Sequence, residues 1–145
     1  MTHDWWWFAN EDMETARVLL EEGEHLAGAT FHCQQAVEKM LKGALKAGGM
    51  EVPKIHDLMW LLRLCEKTDP GCGALKDACH TLNKYYVPVR YPDAIIGSGP
   101  WGPPDQPEAQ EALRLADEAW RFFQERRRTQ VRERRVSYRR SPARR

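Results

Sequence analysis

The sequence predicts an all-α protein, an antiparallel helical bundle of four to five helices. Apolar residues recur three and four positions apart in five successive segments, which is the period of a helix that buries one side. Glycine or proline residues mark most of the boundaries between these segments, and no segment is a convincing strand. At 145 residues the chain is long enough for one domain with a single core.

The first helix is predicted over residues 4–22, with Asp4 as its N-cap and Gly23 at its end. The apolar stripe on its core-facing side consists of Trp6, Ala9, Met13, Ala16 and Leu20. The run Trp5 to Trp7 cannot all face one core, because neighbours on a helix point about 100° apart. Either a partner subunit covers at least one of these rings, or one lies in the core and two lie flat on the surface.

The second helix is predicted over residues 25–47 and contains the most informative stretch, Phe31 to Lys42. Its apolar residues cover nearly half of the circumference, which predicts a central position in the bundle. They are Ala36, Val37, Met40, Leu41, Ala44 and Leu45. Polar residues follow at spacings of four, with two more beside them: Gln34, Glu38, Lys42 and Lys46, then Gln35 and Lys39. A largely buried helix keeps such groups only where they find partners.

The third helix is predicted to begin near His56-Asp57, and Pro70-Gly71 separates it from the fourth. Their stripes are Leu58, Leu61, Leu62 and Cys65, then Leu75, Ala78, Cys79, Leu82 and Tyr86. Residues 87–104 are predicted to form a long loop, which in a compact domain is often functional. Asp105 and Glu108 then resemble a capping box, and the fifth helix carries Ala109, Ala112, Leu113, Ala116, Trp120 and Phe123.

The charge is unevenly distributed, which predicts a division at residue 125. Residues 126–145 hold ten arginines and one acid, Glu133, for a net charge of +9. Residues 1–125 hold twelve basic and twenty acidic residues, for a net charge of −8. The apolar pattern fades beyond Arg126, so this basic tail is predicted to be disordered or only weakly helical. The tail either binds RNA or DNA by counterion release, binds the acidic body of a neighbouring subunit, or has no function.

No transmembrane span, secretory signal or metal site is expected. The chain has no run of eighteen apolar residues and no basic region followed by an apolar stretch at its start. We therefore expect a cytoplasmic protein with reduced cysteines, no membrane contact and no cofactor. Cys65, Cys72 and Cys79 are seven apart, which is not a paired zinc-ligand pattern.

Four pieces of sequence, in this order, resemble the HEPN domain family over about residues 4–125. They are Ala9, Asp12 and Ala16 in the first helix; Phe31-His32-Cys33-Gln34-Gln35-Ala36-Val37-Glu38-Lys39 with Lys42 in the second; His56-Asp57-Leu58; and Arg90-Tyr91-Pro92-Asp93. Ala109, Ala112 and Ala116 suit the closing helix of the family. The resemblance implies a helical bundle that is commonly a homodimer and that acts in nucleotide or RNA biology.

The resemblance also implies a partner protein, and it supplies a sequence signature by which nuclease members can be recognised. Many family members are encoded beside a minimal nucleotidyltransferase, as a two-component or toxin–antitoxin pair. Nuclease members carry Arg, then four to six residues, then His. Counting from Arg90, that window holds Ile95, Ile96 and Gly97, so the usual RNase signature is absent.

The predicted ligand-binding residues are Arg90, Tyr91, Asp93, Glu38, Lys39, Lys42 and His56. Arg90 suits a phosphate and Tyr91 a base, although Arg90 could instead pair with Glu38 or Asp93 and hold the loop. Lys39 or Lys42 could meet a phosphate while Glu38 orients Arg90, or Glu38 and Lys42 could form a plain helix ion pair. For His56 the alternative to a functional role is helix capping.

These observations predict a nucleotide- or nucleic-acid-binding protein that partners a separately encoded nucleotidyltransferase and is not itself the catalyst. The first alternative is an RNase toxin with a degenerate site, in which His32 or His56 would replace the missing histidine. The second is a purely structural interaction module.

Overall fold

The protein is seen here as a computed structural model that describes residues 3–86 and 103–140. These residues form five α-helices and one short 3₁₀ helix, and they contain no β-strand. The α-helices are α1 Trp5–Glu22, α2 Leu26–Ala47, α3 Leu58–Thr68, α4 Lys76–Asn83 and α5 Gln106–Arg140. The predicted all-α bundle is therefore confirmed.

The predicted ends of α1 are also confirmed. The Asp4 carboxylate accepts a hydrogen bond from the backbone N–H of Trp7 at 2.9 Å, which satisfies one of the free donors of the first turn. Gly23 ends the helix at φ 74°, a left-handed conformation that glycine adopts without steric cost. Three residues then connect α1 to α2, so these two helices form a tight hairpin.

α2 lies at the centre of the bundle, as its wide apolar surface predicted. It packs against α1, α3, α4 and α5. The hairpin is close because α2 has a glycine where α1 crosses it: a Cβ added to Gly43 would lie 2.9 Å from Cε2 of Trp6. The buried residues of α2 are Ala29, Thr30, Cys33, Gln34, Ala36, Val37, Glu38, Met40, Leu41, Lys42, Gly43 and Leu45.

Two short helices follow α3. The chain bends at Pro70-Gly71 as predicted, and a 3₁₀ helix runs over Pro70–Leu75 before α4 begins. The sequence placed Tyr86 on the buried stripe of α4, but Tyr85 is the buried tyrosine and Tyr86 is half-buried. The reason is that α4 ends at Asn83, after which the helical spacing no longer decides which side chain points inward.

The start of α5 agrees with the predicted cap, but only in part. The Asp105 carboxylate accepts a hydrogen bond from the backbone N–H of Glu108 at 2.9 Å. The reciprocal half of a capping box is replaced, since the Glu108 carboxylate accepts a hydrogen bond from the Tyr85 hydroxyl at 2.6 Å. Burial and this hydrogen bond to Glu108 raise the pKa of Tyr85. The contact ties the end of α4 to the first turn of α5.

The far end of α5 differs from the sequence prediction. The helix continues to Arg140, whereas a disordered or weakly helical tail was predicted after Arg126. Eight of the residues from 126 to 140 are arginine, which is a good helix former, and Pro142 comes after this segment. The first turn beyond Glu125 is also held to the bundle, because Arg126 Nε lies 3.0 Å from Asp69 Oδ2 and the Arg127 guanidinium lies 4.6 Å from the centre of the Trp6 ring. A domain boundary at residue 125 remains a prediction.

None of the described helices combines the length and the apolar character that crossing a membrane requires.

Candidate functional site

Three polar residues of the row on α2, Gln34, Glu38 and Lys42, lie in the buried part of the bundle and have specific partners, whereas Lys46 at the end of the row is exposed. Glu38 is only 4% exposed, and Gln34 and Lys42 are also buried. Their spacing of four places them on one side of the helix, facing the segment that leads into α3. Because a buried charge without a partner is costly, removing one member of this row would destabilise the fold by leaving its partner buried and unpaired.

Glu38 joins a lysine and a histidine from different parts of the chain. One carboxylate oxygen, Oε2, accepts a hydrogen bond from Lys42 Nζ at 3.0 Å. The other, Oε1, lies 3.0 Å from His56 Nδ1. Since a carboxylate can only accept, Nδ1 carries the proton in this contact, and in the neutral form of the ring the second nitrogen, Nε2, is then an acceptor. No protein partner of Nε2 occurs within residues 3–86 and 103–140.

The backbone and ring of His56 are held as well. Gln34 Nε2 donates a hydrogen bond to the His56 carbonyl oxygen at 3.1 Å, and Gln35 Nε2 donates one to Gln34 Oε1 at 2.7 Å. The imidazole stacks on the Tyr86 ring, with centroids 4.4 Å apart and an interplanar angle of 13°. Because its side chain remains 47% exposed, His56 is a positioned group at the surface rather than a core residue.

The capping explanation of His56 is wrong. Asp57 is the N-cap of α3, and its carboxylate accepts hydrogen bonds from the backbone N–H groups of Met59 and Trp60 at 2.9 and 3.1 Å. A carboxylate can accept at the positive end of a helix, which a protonated Nδ1 cannot do. The His56 side chain is therefore free to contact Glu38 instead.

An open depression of about 470 Å³ lies beside this network. Its lining residues are Ile55, His56, Asp57, Trp60, Asn83 and Tyr86. Asn83 is fixed in the wall, because its side chain accepts a hydrogen bond from the Leu58 N–H at 2.9 Å and donates one to Asp57 at 3.3 Å. The wall thus combines three aromatic rings with a fixed amide, which suits a flat ligand that also forms hydrogen bonds.

A second cluster joins α1 to α2. Asp12 is buried; its Oδ1 lies 2.8 Å from His32 Nδ1, and its Oδ2 pairs with Lys39 Nζ. In the sequence, Asp12 belongs to a family motif but has no evident partner. A signal was present, since an acid stands between Ala9 and Ala16 on the apolar side of α1. Its partners lie twenty or more positions away in the chain, so spacing within one helix could not identify them.

In these two clusters, the two lysines that were predicted to bind a ligand are each paired with an acid of the protein. Lys42 forms the plain ion pair with Glu38, and Lys39 pairs with Asp12 of α1. The site residues of α2 and His56 are thus divided, with Glu38, Lys42 and His56 together and Lys39 apart from them. Arg90, Tyr91 and Asp93 lie outside the described residues.

The four cysteines are buried and form no disulfide. Burial raises the pKa of Cys33, Cys65 and Cys79 to about 12 each and that of Cys72 to about 11. A thiol with so high a pKa is a poor nucleophile and a poor metal ligand. No group of three or more histidine, cysteine or acidic side chains able to hold a metal ion occurs in the described part of the chain.

Comparison with known proteins identifies the family. The HEPN domain model matches residues 2–127. The chain therefore belongs to the HEPN domain family, as its sequence pattern indicated.

Three relatives illustrate the similarity. A protein of Methanocaldococcus jannaschii named "Putative toxin MJ1304" is 26% identical over 118 residues, which cover 75% of this chain and 76% of that protein. The crystal structure of TT1696 from Thermus thermophilus is 36% identical, with a TM-score of 0.65, and the match covers 83% of this chain and 94% of that one. ST0689, described as an archaeal HEPN homologue, is 28% identical, with a TM-score of 0.64 and coverage of 84% and 93%.

Proposed function

We propose that this HEPN protein binds a nucleotide or a nucleic-acid base in the depression beside His56 and does not cleave RNA itself. One observation carries the proposal: the stacked rings of His56 and Tyr86, with the imidazole held in place by Glu38, line the depression. Aromatic faces of this kind stack on bases, and Asn83 supplies an amide for the base edge.

The phosphate contact belongs to Arg90 in this proposal. Glu38 and Asp12 already neutralise Lys42 and Lys39, so these lysines have little charge to offer a phosphate. Tyr86 is four positions before Arg90 in the chain, which is short enough to bring the guanidinium to the same depression. An arginine fork can bind two phosphate oxygens at once.

The proposed biological setting is a pair with a separately encoded minimal nucleotidyltransferase, in a two-component or toxin–antitoxin system. The family membership and the toxin name of the Methanocaldococcus jannaschii relative support this setting. The missing histidine at Ile95, Ile96 and Gly97 supports the role of binding subunit rather than nuclease. The test is size-exclusion chromatography of the chain co-expressed with a nucleotidyltransferase encoded beside it, where two separate peaks would reject the pairing.

The binding proposal is tested by thermal unfolding with a panel of nucleoside mono- and triphosphates. A ligand that binds only the folded state raises the melting temperature, so at least one nucleotide should raise it. Tyr86→Ala should abolish that rise, because it removes the ring that stacks on His56. Val18→Ala is the control, since Val18 is an exposed apolar residue of α1 that does not line the depression. Absence of a shift with every nucleotide, or an equal shift in Tyr86→Ala, would reject the site.

A specific contact favours a second candidate, an RNase that uses His56. A buried carboxylate on Nδ1 leaves Nε2 as an oriented proton acceptor, which is how a general base is prepared in many hydrolytic sites. This candidate predicts cleavage of single-stranded RNA that His56→Gln and Arg90→Ala both abolish. His80→Gln, which changes an exposed histidine of α4, is the control. Our first proposal predicts no cleavage by the wild type or by any of these variants.

A further inference from the structure

The last part of α5 extends beyond the core of the bundle. Phe123 is the last core residue of the helix, and every residue from 128 to 140 is exposed. Residues 126–140 contain eight arginines and one acid, Glu133, for a net charge of +7. Residues 128–140 bury too little surface to be held by packing. Their function therefore depends on the side chains that they expose to solvent.

Helical geometry sorts half of these arginines onto one side. Arg128, Arg132, Arg135 and Arg139 follow one another at intervals of four, three and four, so they form a straight stripe. The stripe is about 16 Å long, and its charges are about 4.5–6 Å apart along the axis. Glu133, the single acid of the segment, points away from it at about 100° from Arg132.

The stripe is largely free of counter-charges within the protein. Arg128 has Glu125 at 4.0 Å, and both side chains are mostly exposed, so this pair is weak. Arg132, Arg135 and Arg139 have no ion pair with any residue of the described ranges. Like charges one turn apart repel one another, so the stripe is destabilising until anions occupy it. A polyanion with evenly spaced negative charges would neutralise all four arginines of the stripe and so remove that repulsion.

An aromatic ring lies next to the stripe. Tyr138 is 84% exposed, and together with Arg134, Arg135 and Arg139 it lines an open depression on the helix. A polar face with a single flat ring among guanidinium groups suits a base that is not paired or stacked elsewhere. The same composition does not suit a membrane surface, because Val131, Val136 and Tyr138 do not form one continuous apolar face.

We infer that this segment binds single-stranded nucleic acid, with phosphates along Arg128, Arg132, Arg135 and Arg139 and one base on Tyr138. A single strand supplies one phosphate per nucleotide and leaves its bases free to stack, so it matches both the row of charges and the ring. The net charge of −8 on residues 1–125 repels the strand elsewhere and directs it to α5. This site is separate from the depression beside His56 and does not depend on the function proposed there.

The test is fluorescence anisotropy of the full-length protein with a labelled single-stranded RNA over a range of salt concentrations. The double variant R132Q/R135Q removes two charges from the stripe. It should weaken binding about tenfold or more at low salt and reduce the slope of log K against log salt by about 1.4, since each lost phosphate contact on a single strand accounts for about 0.7. The matched control, R63Q/K67Q, removes the same net charge from exposed positions of α3 and should bind like the wild type.

The ring is tested separately. Tyr138→Ala should weaken binding about tenfold without changing the salt slope, whereas Tyr138→Phe should retain affinity, because stacking needs the ring and not the hydroxyl. Equal losses in R132Q/R135Q and R63Q/K67Q, or binding that does not respond to salt, would overturn the inference.

Other occupants give different outcomes. Single-stranded DNA of the same sequence should bind within a few-fold of RNA, because phosphates and base faces are common to both. Binding of vesicles rich in anionic lipid, or salt-dependent self-association, that R132Q/R135Q abolishes while RNA binding is unchanged would overturn the inference in favour of a membrane or of the acidic body of a second copy.

Discussion

The Glu38 carboxylate lies 3.0 Å from His56 Nδ1 and so links the middle of the central helix to the residue before the cap of α3. The same carboxylate holds Lys42 at 3.0 Å. A single acid therefore positions a surface imidazole and neutralises a buried ammonium group. The candidate site is consequently connected to the stability of the bundle.

The first prediction concerns that acid. Glu38→Gln keeps the shape of the side chain but leaves the buried Lys42 ammonium without its anion. We expect a loss of about 3–5 kcal/mol in the free energy of unfolding, measured by urea denaturation. The control is Glu111→Gln, which removes an exposed partner of Arg114 and should leave the free energy of unfolding nearly unchanged. Similar small losses in both variants would mean that the buried pair is not important for stability.

The second prediction concerns the crossing of α1 and α2. A Cβ on Gly43 would lie 2.9 Å from the Trp6 ring and 3.2 Å from the Cβ of Trp5. Gly43→Ala should therefore lower stability by about 1–3 kcal/mol, even though alanine favours a helix. Gly28→Ala is the control on the same helix, where the nearest atom, 3.1 Å away, is the mobile end of Leu19. That variant should be close to neutral in the same unfolding experiment, and equal effects would contradict the close packing at Gly43.

The third prediction follows from the thiols. Burial raises the pKa of Cys33 and Cys79 from 9.0 to about 12, so the folded state favours their protonated form. Their contribution to stability is complete below pH 9 and is lost as the pH rises from 9 towards 12. The melting temperature should therefore fall above about pH 9, and less steeply in Cys79→Ala than in the wild type. At about pH 8, below the ordinary pKa of a thiol, iodoacetamide should modify the native protein slowly and the urea-unfolded protein quickly; equal rates would show that the thiols are accessible.

The fourth prediction concerns assembly. The wide apolar surface of α2 is covered by the other helices of the chain, so it is no evidence for a dimer. What remains is the start of α1, where Trp7 and Phe8 are 42% and 44% exposed and stack edge to face. This agrees with the prediction that the tryptophans cannot all face one core, and exposed aromatic pairs are typical of interfaces.

We predict a two-fold dimer at micromolar concentration, measured by light scattering. The double variant W7S/F8S should be monomeric, whereas Val18→Ser, an exposed apolar residue of the same helix, should remain dimeric. A wild-type protein that is only monomeric would reject the dimer, and a dimer that persists in W7S/F8S would place the interface elsewhere.

The fifth prediction separates binding from structure at Arg90. If Arg90 binds a phosphate, Arg90→Ala should weaken nucleotide binding by about 1.5–3 kcal/mol and leave the melting temperature of the free protein unchanged. Titration calorimetry and thermal unfolding of one variant give both quantities. A lower melting temperature with unchanged affinity would instead make Arg90 a structural contact of the loop.

Three features could be predicted from the amino-acid sequence alone: the all-α bundle, the ends of α1 and the central position of α2. These features depend on local rules, since the apolar period, the cap at Asp4 and the glycine at position 23 act within one or two turns of helix. The same local information made the pairing of Glu38 with Lys42 predictable, because four residues along a helix bring two side chains together.

Partners that are distant in the chain could be identified only from the way the helices pack. The contacts of Glu38 with His56 and of Asp12 with Lys39 join different segments, and many arrangements of the same helices would have separated them. The length of α5 was missed for a related reason: the fading of the apolar pattern after Arg126 indicates lost burial, not lost helix. Arg126 and Arg127 hold the next turn to Asp69 and Trp6, and helix-favouring residues continue it to Arg140.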